Sequence, residues 1–396
     1  MASAAAPALA LSQDEAFLRI RLLRSPNIGP VSFHQLLRRF GSAVAALDAL
    51  PDLAARGKRQ YRAAPASRIE DEVAAVRKAG ARYLFHDMAD YPALLREIDG
   101  APPILIVRGD LSLAAKPCVS MVGARNASAA AVKLARDFAS ALAGEGFTVV
   151  SGLARGIDGA AHEGALGAAM GGTVGVIASG IDITYPPQHE ALQERVASEG
   201  LLIAEEAPGT SPRGQLFPKR NRIIAGLSAG TLVVEAAPKS GSLITARLAG
   251  EAGREVMAIP GSPLEPRNEG CNKLIREGAV LVQSPEDVVE LQSGFDGNPR
   301  STFREAVSGF DHADIDYDAE PADAADIENL LTTAPVPVEE LVRQSGESAG
   351  AVQMALLELE NAGRLERHAG GPRQPGFRLR RAADRVLDRR KGRFHP

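Results

Sequence analysis

Tryptophan is absent from the 396 residues, and all aromatics together make up only 4%. The core must therefore be aliphatic, and the 45% hydrophobic content can supply it. Cysteine is nearly as scarce. Cys118 and Cys271 are the only two and lie far apart, which excludes a disulfide framework and a cysteine-based zinc site and fits a reducing cytoplasm. No apolar run approaches the ~18 residues that a membrane span requires. A positive balance is also missing. With a formal net charge of -4, any nucleic-acid binding must come from a local basic patch. Residues 1–10 are small and apolar without a basic stretch, and are expected to be a disordered leader rather than a signal peptide.

The usual signatures of chemistry are missing too. There is no G-x-G-x-x-G for a dinucleotide and no G-x-x-x-x-G-K-[ST] for ATP, so no cofactor is expected. No nucleophile elbow, metal-ligand spacing or separated carboxylate pair occurs, and the seven histidines are scattered. No catalytic residue and no metal ligand is assigned, and the chain is not expected to be an enzyme.

What is present is an alternation of elements. Residues 14–23 and 31–40 have helical patterning around the turn Ser25-Pro26-Asn27-Ile28-Gly29-Pro30. This predicts a helix-hairpin-helix or SAM-like module, with two readings open: hairpin N–H groups meeting phosphate, or a protein-contact domain. From 81 to 290, short β-branched runs at 117–122, 148–150, 172–178, 201–204, 231–234, 255–259 and 279–282 alternate with helical stretches such as 129–143 and 243–252. Continuous apolar strands separated by helices predict a parallel α/β sheet covered on both faces, with ligands at the carboxyl ends of its strands. Residues 293–322 are rich in Asp, Gly, Ser and Pro and read as an acidic linker. Three helical periods and a hairpin pattern then predict a winged helix. The expected division is 1–75 leader and helical module, 76–292 extended Rossmann-like domain, 293–322 linker, 323–382 winged helix and 383–396 basic tail.

The motifs fall on the strand-end loops. In Val122-Gly123-Ala124-Arg125-Asn126-Ala127-Ser128, Gly123 allows a close turn, Ser128 is placed to cap the next helix, and Arg125 offers a fork of donors suited to phosphate. The alternative for Arg125 is a neighbouring carboxylate. The loop 151–158 brings Asp158, whose role stays open, and His162 one helical turn later, read as an ordinary helix histidine. Tyr185 either stacks a base or packs its loop. Phe217-Pro218-Lys219-Arg220-Asn221-Arg222 is the most specific feature: three cations beside an aromatic, read as a loop in which Phe217 stacks a base. Glu205 and Glu206 supply the competing reading, internal neutralisation. Ser240, Gly241 and Ser242 precede a helix and form a further anion cradle, with Lys239 as a point charge. The long loop at 260–272 is of the kind that usually carries function. Several anion-suited helix starts on one sheet edge suit successive phosphates better than one mononucleotide.

In this order, V-G-A-R-N-A-S, V-S-G-L-A-R-G-I-D-G-A-A-H, F-P-K-R-N-R-I-I-A-G-L-S, A-P-K-S-G-S-L-I-T-A, A-I-P-G and G-C-N-K-L-I-R-E-G-A resemble the DNA-processing protein A (DprA/Smf) family from about residue 19 to 380. The resemblance implies an extended Rossmann core that dimerises, a cytoplasmic location, binding and protection of incoming single-stranded DNA during natural transformation, and loading of the recombinase RecA. It implies DNA contacts at Gly123, Arg125, Ser128, Phe217, Arg220, Asn221, Lys239 and Ser240, to which Lys219, Arg222 and Gly241 are added as neighbours.

Two rival functions are kept. Ser228-Ala229-Gly230-Thr231-Leu232-Val233-Val234-Glu235 partly resembles the segment of Rossmann-type nucleotide N-glycosidic hydrolases, with Glu235 as candidate acid on nucleoside monophosphates. The other rival is duplex binding by the wing domain. Glu358 and Glu360 in its third helix argue against a place in the major groove.

Overall fold

The computed structural model describes residues 11–55, 61–168 and 170–293, together with scattered positions between 327 and 379. The expected leader, residues 294–322 of the acidic linker, Glu358 and Glu360 of the wing, and the basic tail lie outside the described residues. What is described divides into two compact units, one of residues 70–293 and one of residues 11–69 with the described positions between 327 and 379.

In the N-terminal module, α1 (Gln13–Leu23), α2 (Pro30–Phe40) and α3 (Ala43–Ala55) enclose Leu22, Phe33, Leu36, Ala46 and Leu50. Ser12 caps α1 by accepting from the Glu15 N–H, Pro30 opens α2 where no N–H is required, and Gly41 ends it in the left-handed region at φ 76°. In the predicted hairpin, Ser25 is buried, and its hydroxyl accepts from the Ala64 N–H and donates to the Arg21 carbonyl. Helix α4 (Ala66–Lys78) follows.

The second unit holds a nine-stranded sheet: β1 (Arg82–Phe85), β2 (Ile104–Gly109), β3 (Cys118–Val122), β4 (Thr148–Ser151), β5 (Gly172–Ile177), β6 (Leu201–Ala204), β7 (Gly230–Val233), β8 (Glu255–Ala258) and β9 (Val280–Leu281). Their order across the sheet is β1-β2-β6-β5-β4-β3-β7-β8-β9. From β6 to β9 all neighbours run parallel, as the apolar runs predict. Beyond β6, β2 and β1 add an antiparallel edge that the βαβ alternation does not announce. The intervening helices are α5 (Ala93–Arg96), α6 (Ala129–Gly144), α7 (Ile157–Ala165), α8 (Glu190–Glu199), α9 (Leu216–Leu227), α10 (Ser242–Glu251), α11 (Glu269–Arg276) and α12 (Pro285–Ser293).

Strand periodicity sorts the side chains between two layers. In β3, Val119 and Met121 face Ala135, Phe138 and Leu142 of α6 and the alanines of α7, whereas Cys118 and Val122 face Ile223, Ile224 and Leu227 of α9. The loop at 260–272 is tied down by Asn272, whose side chain accepts from the Gly261 N–H and donates to the Gly261 carbonyl.

Strands β10 (Val336–Pro337), β11 (Leu365–His368) and β12 (Gly376–Leu379) form a separate sheet in the order β10-β12-β11. With the helix Val338–Ser345 and a core of Ile327, Leu341, Leu356, Leu359 and Leu365, they make up the winged-helix region.

Candidate nucleic-acid interface

From β3 the chain runs outward through β4, β5 and β6, then returns past its start to lay down β7. The gap between β3 and β7 is the switch point where sheets of this kind ordinarily seat a dinucleotide. Here the protein closes it. The Ala124 N–H donates to the Glu235 carbonyl at 2.7 Å, and both Ser128 donors reach the Glu235 carboxylate, N–H to Oε1 at 3.1 Å and Oγ–H to Oε2 at 2.7 Å. Ser128 also caps α6 as predicted, its Oγ accepting from the Ala131 N–H. The positive end of α6 is thus occupied by an internal anion. This corrects the expectation that Ser128 offers its donors to phosphate. Gly123 has a packing role as well. A Cβ there would lie 2.5 Å from Ile157 Cγ1, so the position serves the approach of α7.

The open concavity lies on the other side of β3, over the ends of β3, β4 and β5. It encloses about 250 Å³. Arg125 follows β3, Arg155 follows β4, Tyr185 and Pro186 follow β5, and Phe217 and Arg220 come from the start of α9. No carboxylate is among its lining residues. Phe217 is half-buried, and the Arg125 guanidinium sits 4.9 Å from its ring centroid. The Tyr185 ring lies 5.7 Å from Phe217, tilted by 51°. The structure therefore brings Tyr185 and Phe217 together as a pair beside a cation.

The segment from Phe217 to Arg222 is not a loop, as the proline and the charges suggest, but the first turns of α9. Pro218 sits in the first turn, where its missing N–H costs nothing. Helical geometry then separates the three cations. Arg220 lies four residues from both Leu216 and Ile224 and so falls on the buried face. It is only 6% exposed, donates to the Val176 carbonyl at 3.1 Å, and leaves Nε without a partner. A Cβ at Gly152 would sit 1.4 Å from its Nη1. That glycine makes room for Arg220, not for a ligand. Arg222 pairs with Glu205 at 2.5 Å, both largely buried, which satisfies the competing reading and removes Arg222 from the set of free cations. Lys219 is exposed, and Asn221 is partly exposed beside it.

Arg125, Arg155, Lys219 and Lys239 form no ion pair among the described residues. Lys239 is exposed at the start of α10, but the helix start shows no side-chain cap, and the Ser240 and Ser242 hydroxyls bond each other at 2.7 Å. Lys239, Ser240 and Gly241 do not line the concavity. Arg155, which does, is a residue that the motif reading passed over although it stands in S-G-L-A-R-G. No group of three or more His, Cys, Asp or Glu side chains is placed to hold a metal among the described residues.

Behind the arginines lies a buried polar layer. Asp158 accepts from the Gly152 N–H at 3.2 Å, and burial pushes its carboxyl above the usual range, opposed by Arg220. Burial likewise draws the Arg220 guanidinium down to about 10, with Asp158 opposing and Arg125 adding to the effect. His162 is fully buried, with Nε2 accepting from the Leu153 N–H and Nδ1 paired with the Thr173 hydroxyl at 2.7 Å. Burial, then the charges of His189 and Arg220, lowers its pKa to about 3. It is a structural histidine, as the sequence reading holds. Below the ordinary value of 6.5 the unfolded chain takes up a proton that the folded chain refuses, so stability falls as pH drops from 6.5 toward 3. The urea midpoint is expected to decline between pH 7 and pH 5, with a smaller decline in His162→Gln. An equal decline in both proteins would contradict this.

Fold and site together define a Rossmann-like protein whose dinucleotide crevice is closed and whose cationic, aromatic-bearing rim is open. Three family models match: DNA recombination-mediator protein A over residues 82–293, a DprA-like N-terminal HHH domain over 13–75, and a DprA winged helix domain over 314–371. The chain belongs to the DNA recombination-mediator protein A (DprA/Smf) family. It is 36% identical over 332 residues to Protein Smf of Escherichia coli, covering 83% of this chain and 86% of that one. Protein Smf of Synechocystis is 43% identical over 212 residues, a match spanning 52% of this chain and 53% of the relative. The X-ray structure of DprA from Streptococcus pneumoniae superposes with a TM-score of 0.58 at 34% identity, covering 71% of this chain and 98% of that one.

Proposed function

We propose that this chain binds single-stranded DNA along the strand-end rim, protects it, and loads RecA recombinase onto it during natural transformation, acting as a homodimer in the cytoplasm. The observation that carries the reading is the Arg125–Phe217–Tyr185 grouping: a cation without an ion pair among the described residues, seated on one of two adjacent rings, in a concavity with no carboxylate among its lining residues. A single strand offers the π faces of its bases to the rings and its backbone phosphates to the cations, whereas a duplex hides the former. Lys219 extends the cationic rim, and Lys239 supplies a further exposed charge. No helix among the described residues is long and apolar enough to cross a membrane. Against the hydrolase reading stands the engagement of both oxygens of the Glu235 carboxylate by Ser128.

Affinity for an oligothymidylate should fall with salt at a log–log slope of about -0.7 per phosphate neutralised. Arg125→Ala is expected to remove roughly one such increment. Arg222→Ala is expected to leave the slope unchanged, because Glu205 already neutralises that arginine. Filter binding over a salt series tests both. Identical slopes for wild type and Arg125→Ala would remove Arg125 from the interface.

A further inference from the structure

We propose that the concavity between β3, β4, β5 and α9 is a seat for a nucleoside 5′-phosphate, so that the rim favours a phosphorylated 5′ terminus over an internal nucleotide. The inference rests on the single-strand reading above and concerns the ligand class of the same site.

Arg125, Arg155 and Arg220 all line the concavity of about 250 Å³, and no carboxylate is among its lining residues. Arg220 is the informative member. It is 94% buried by complement of its 6% exposure, has no ion pair among the described residues, and keeps an unpartnered Nε. Guanidinium groups this deeply desolvated are ordinarily neutralised by a paired anion. The nearby carboxylate, Asp158, is engaged by the Gly152 N–H, forms no ion pair with Arg220, and has its pKa raised by burial against the opposing charge of Arg220, so one carboxylate stands among three arginines. An internal phosphodiester brings one negative charge. A phosphomonoester brings about 1.5 to 2 at pH 7, with three acceptor oxygens. Several converging arginines suit the second ligand better. The Tyr185–Phe217 pair at the mouth supplies an apolar wall for the attached base.

Two sources offer this chemistry, a strand terminus and a free mononucleotide, and the test separates them. The full-length protein is titrated into 3′-labelled hexathymidylate carrying either a 5′-phosphate or a 5′-hydroxyl, and binding is read by fluorescence anisotropy. In a second arm, thymidine 5′-monophosphate and thymidine compete against the 5′-hydroxyl oligomer. The phosphorylated oligomer is expected to bind about tenfold more tightly, the factor given by one charge-assisted hydrogen bond. The preference should shrink between pH 7 and pH 5, as the phosphate loses its second charge with a pKa near ~6. Arg155→Gln, an exposed position that leaves the core untouched, should abolish it. Arg220→Lys, which keeps the charge but not the fork, should reduce it. Competition by the monophosphate but not by thymidine would extend the seat to free nucleotides, and failure of both to compete would confine it to strand ends. Equal affinity for the two oligomers, with monophosphate and thymidine competing alike, would overturn the proposal and leave single-strand binding intact. Absence of binding to either oligomer would remove the underlying reading instead.

Discussion

Phe217→Ala is expected to weaken binding of single-stranded DNA by about 1–3 kcal/mol, roughly 5- to 150-fold, whatever the base sequence. Two losses combine. The ring is the face nearest to the exposed Tyr185, so its removal takes away half of the stacking platform. It is also the surface on which the Arg125 guanidinium rests at 4.9 Å, and without it a long, flexible side chain must be ordered by the ligand alone. The fold should survive, because the core contact at this end of α9 is made by Leu216, with Phe217 only half-buried. Phe217→Tyr retains a π face and should stay within a few-fold of wild type. Anisotropy titrations with oligothymidylate and oligodeoxyadenylate measure the effect. Unchanged affinity in Phe217→Ala with an unchanged melting curve would exclude the aromatic from the interface.

The second large effect falls on stability. Glu235→Ala should destabilise the folded protein by about 2–4 kcal/mol, since it leaves the Ser128 N–H without its acceptor and the start of α6 without its anion. Glu235 is only 4% exposed, so water cannot easily substitute. Glu235→Gln keeps one acceptor oxygen and should recover part of the loss. Urea unfolding gives the comparison through a lower midpoint at constant slope. The same variants bear on catalysis. If wild type released free base from nucleoside monophosphates and an equally stable Glu235→Gln did not, the carboxylate would be an acid catalyst rather than a latch.

These effects show where sequence reading reaches and where it stops. The parallel strands were legible because each is a short, continuous, β-branched run bounded by helical patterning. β1 and β2 were not, because an antiparallel edge has no place in a βαβ alternation. The cap on α6 was legible from Ser128 alone, but the carboxylate it holds was not, since Glu235 reaches it only through the pairing of β3 with β7. The fate of the α9 cations was partly legible. Counting from Leu216 to Ile224 places Arg220 in the apolar stripe, although Pro218 and the charges disguise the helix. That Arg222 would find Glu205 was foreseeable in charge but not in geometry. The contribution of Arg155 depends on β4 lying between β3 and β5, which no local motif encodes.

A competition assay tests the central claim most directly: labelled single-stranded oligomer bound to the full chain and challenged with unlabelled single-stranded or duplex DNA of equal length, at two salt concentrations. Displacement by single strands at stoichiometric levels, little displacement by duplex, and weaker binding at the higher salt are the predicted results. Equal displacement by duplex, or affinity indifferent to salt, would contradict a cationic rim built to hold phosphates and bared bases together.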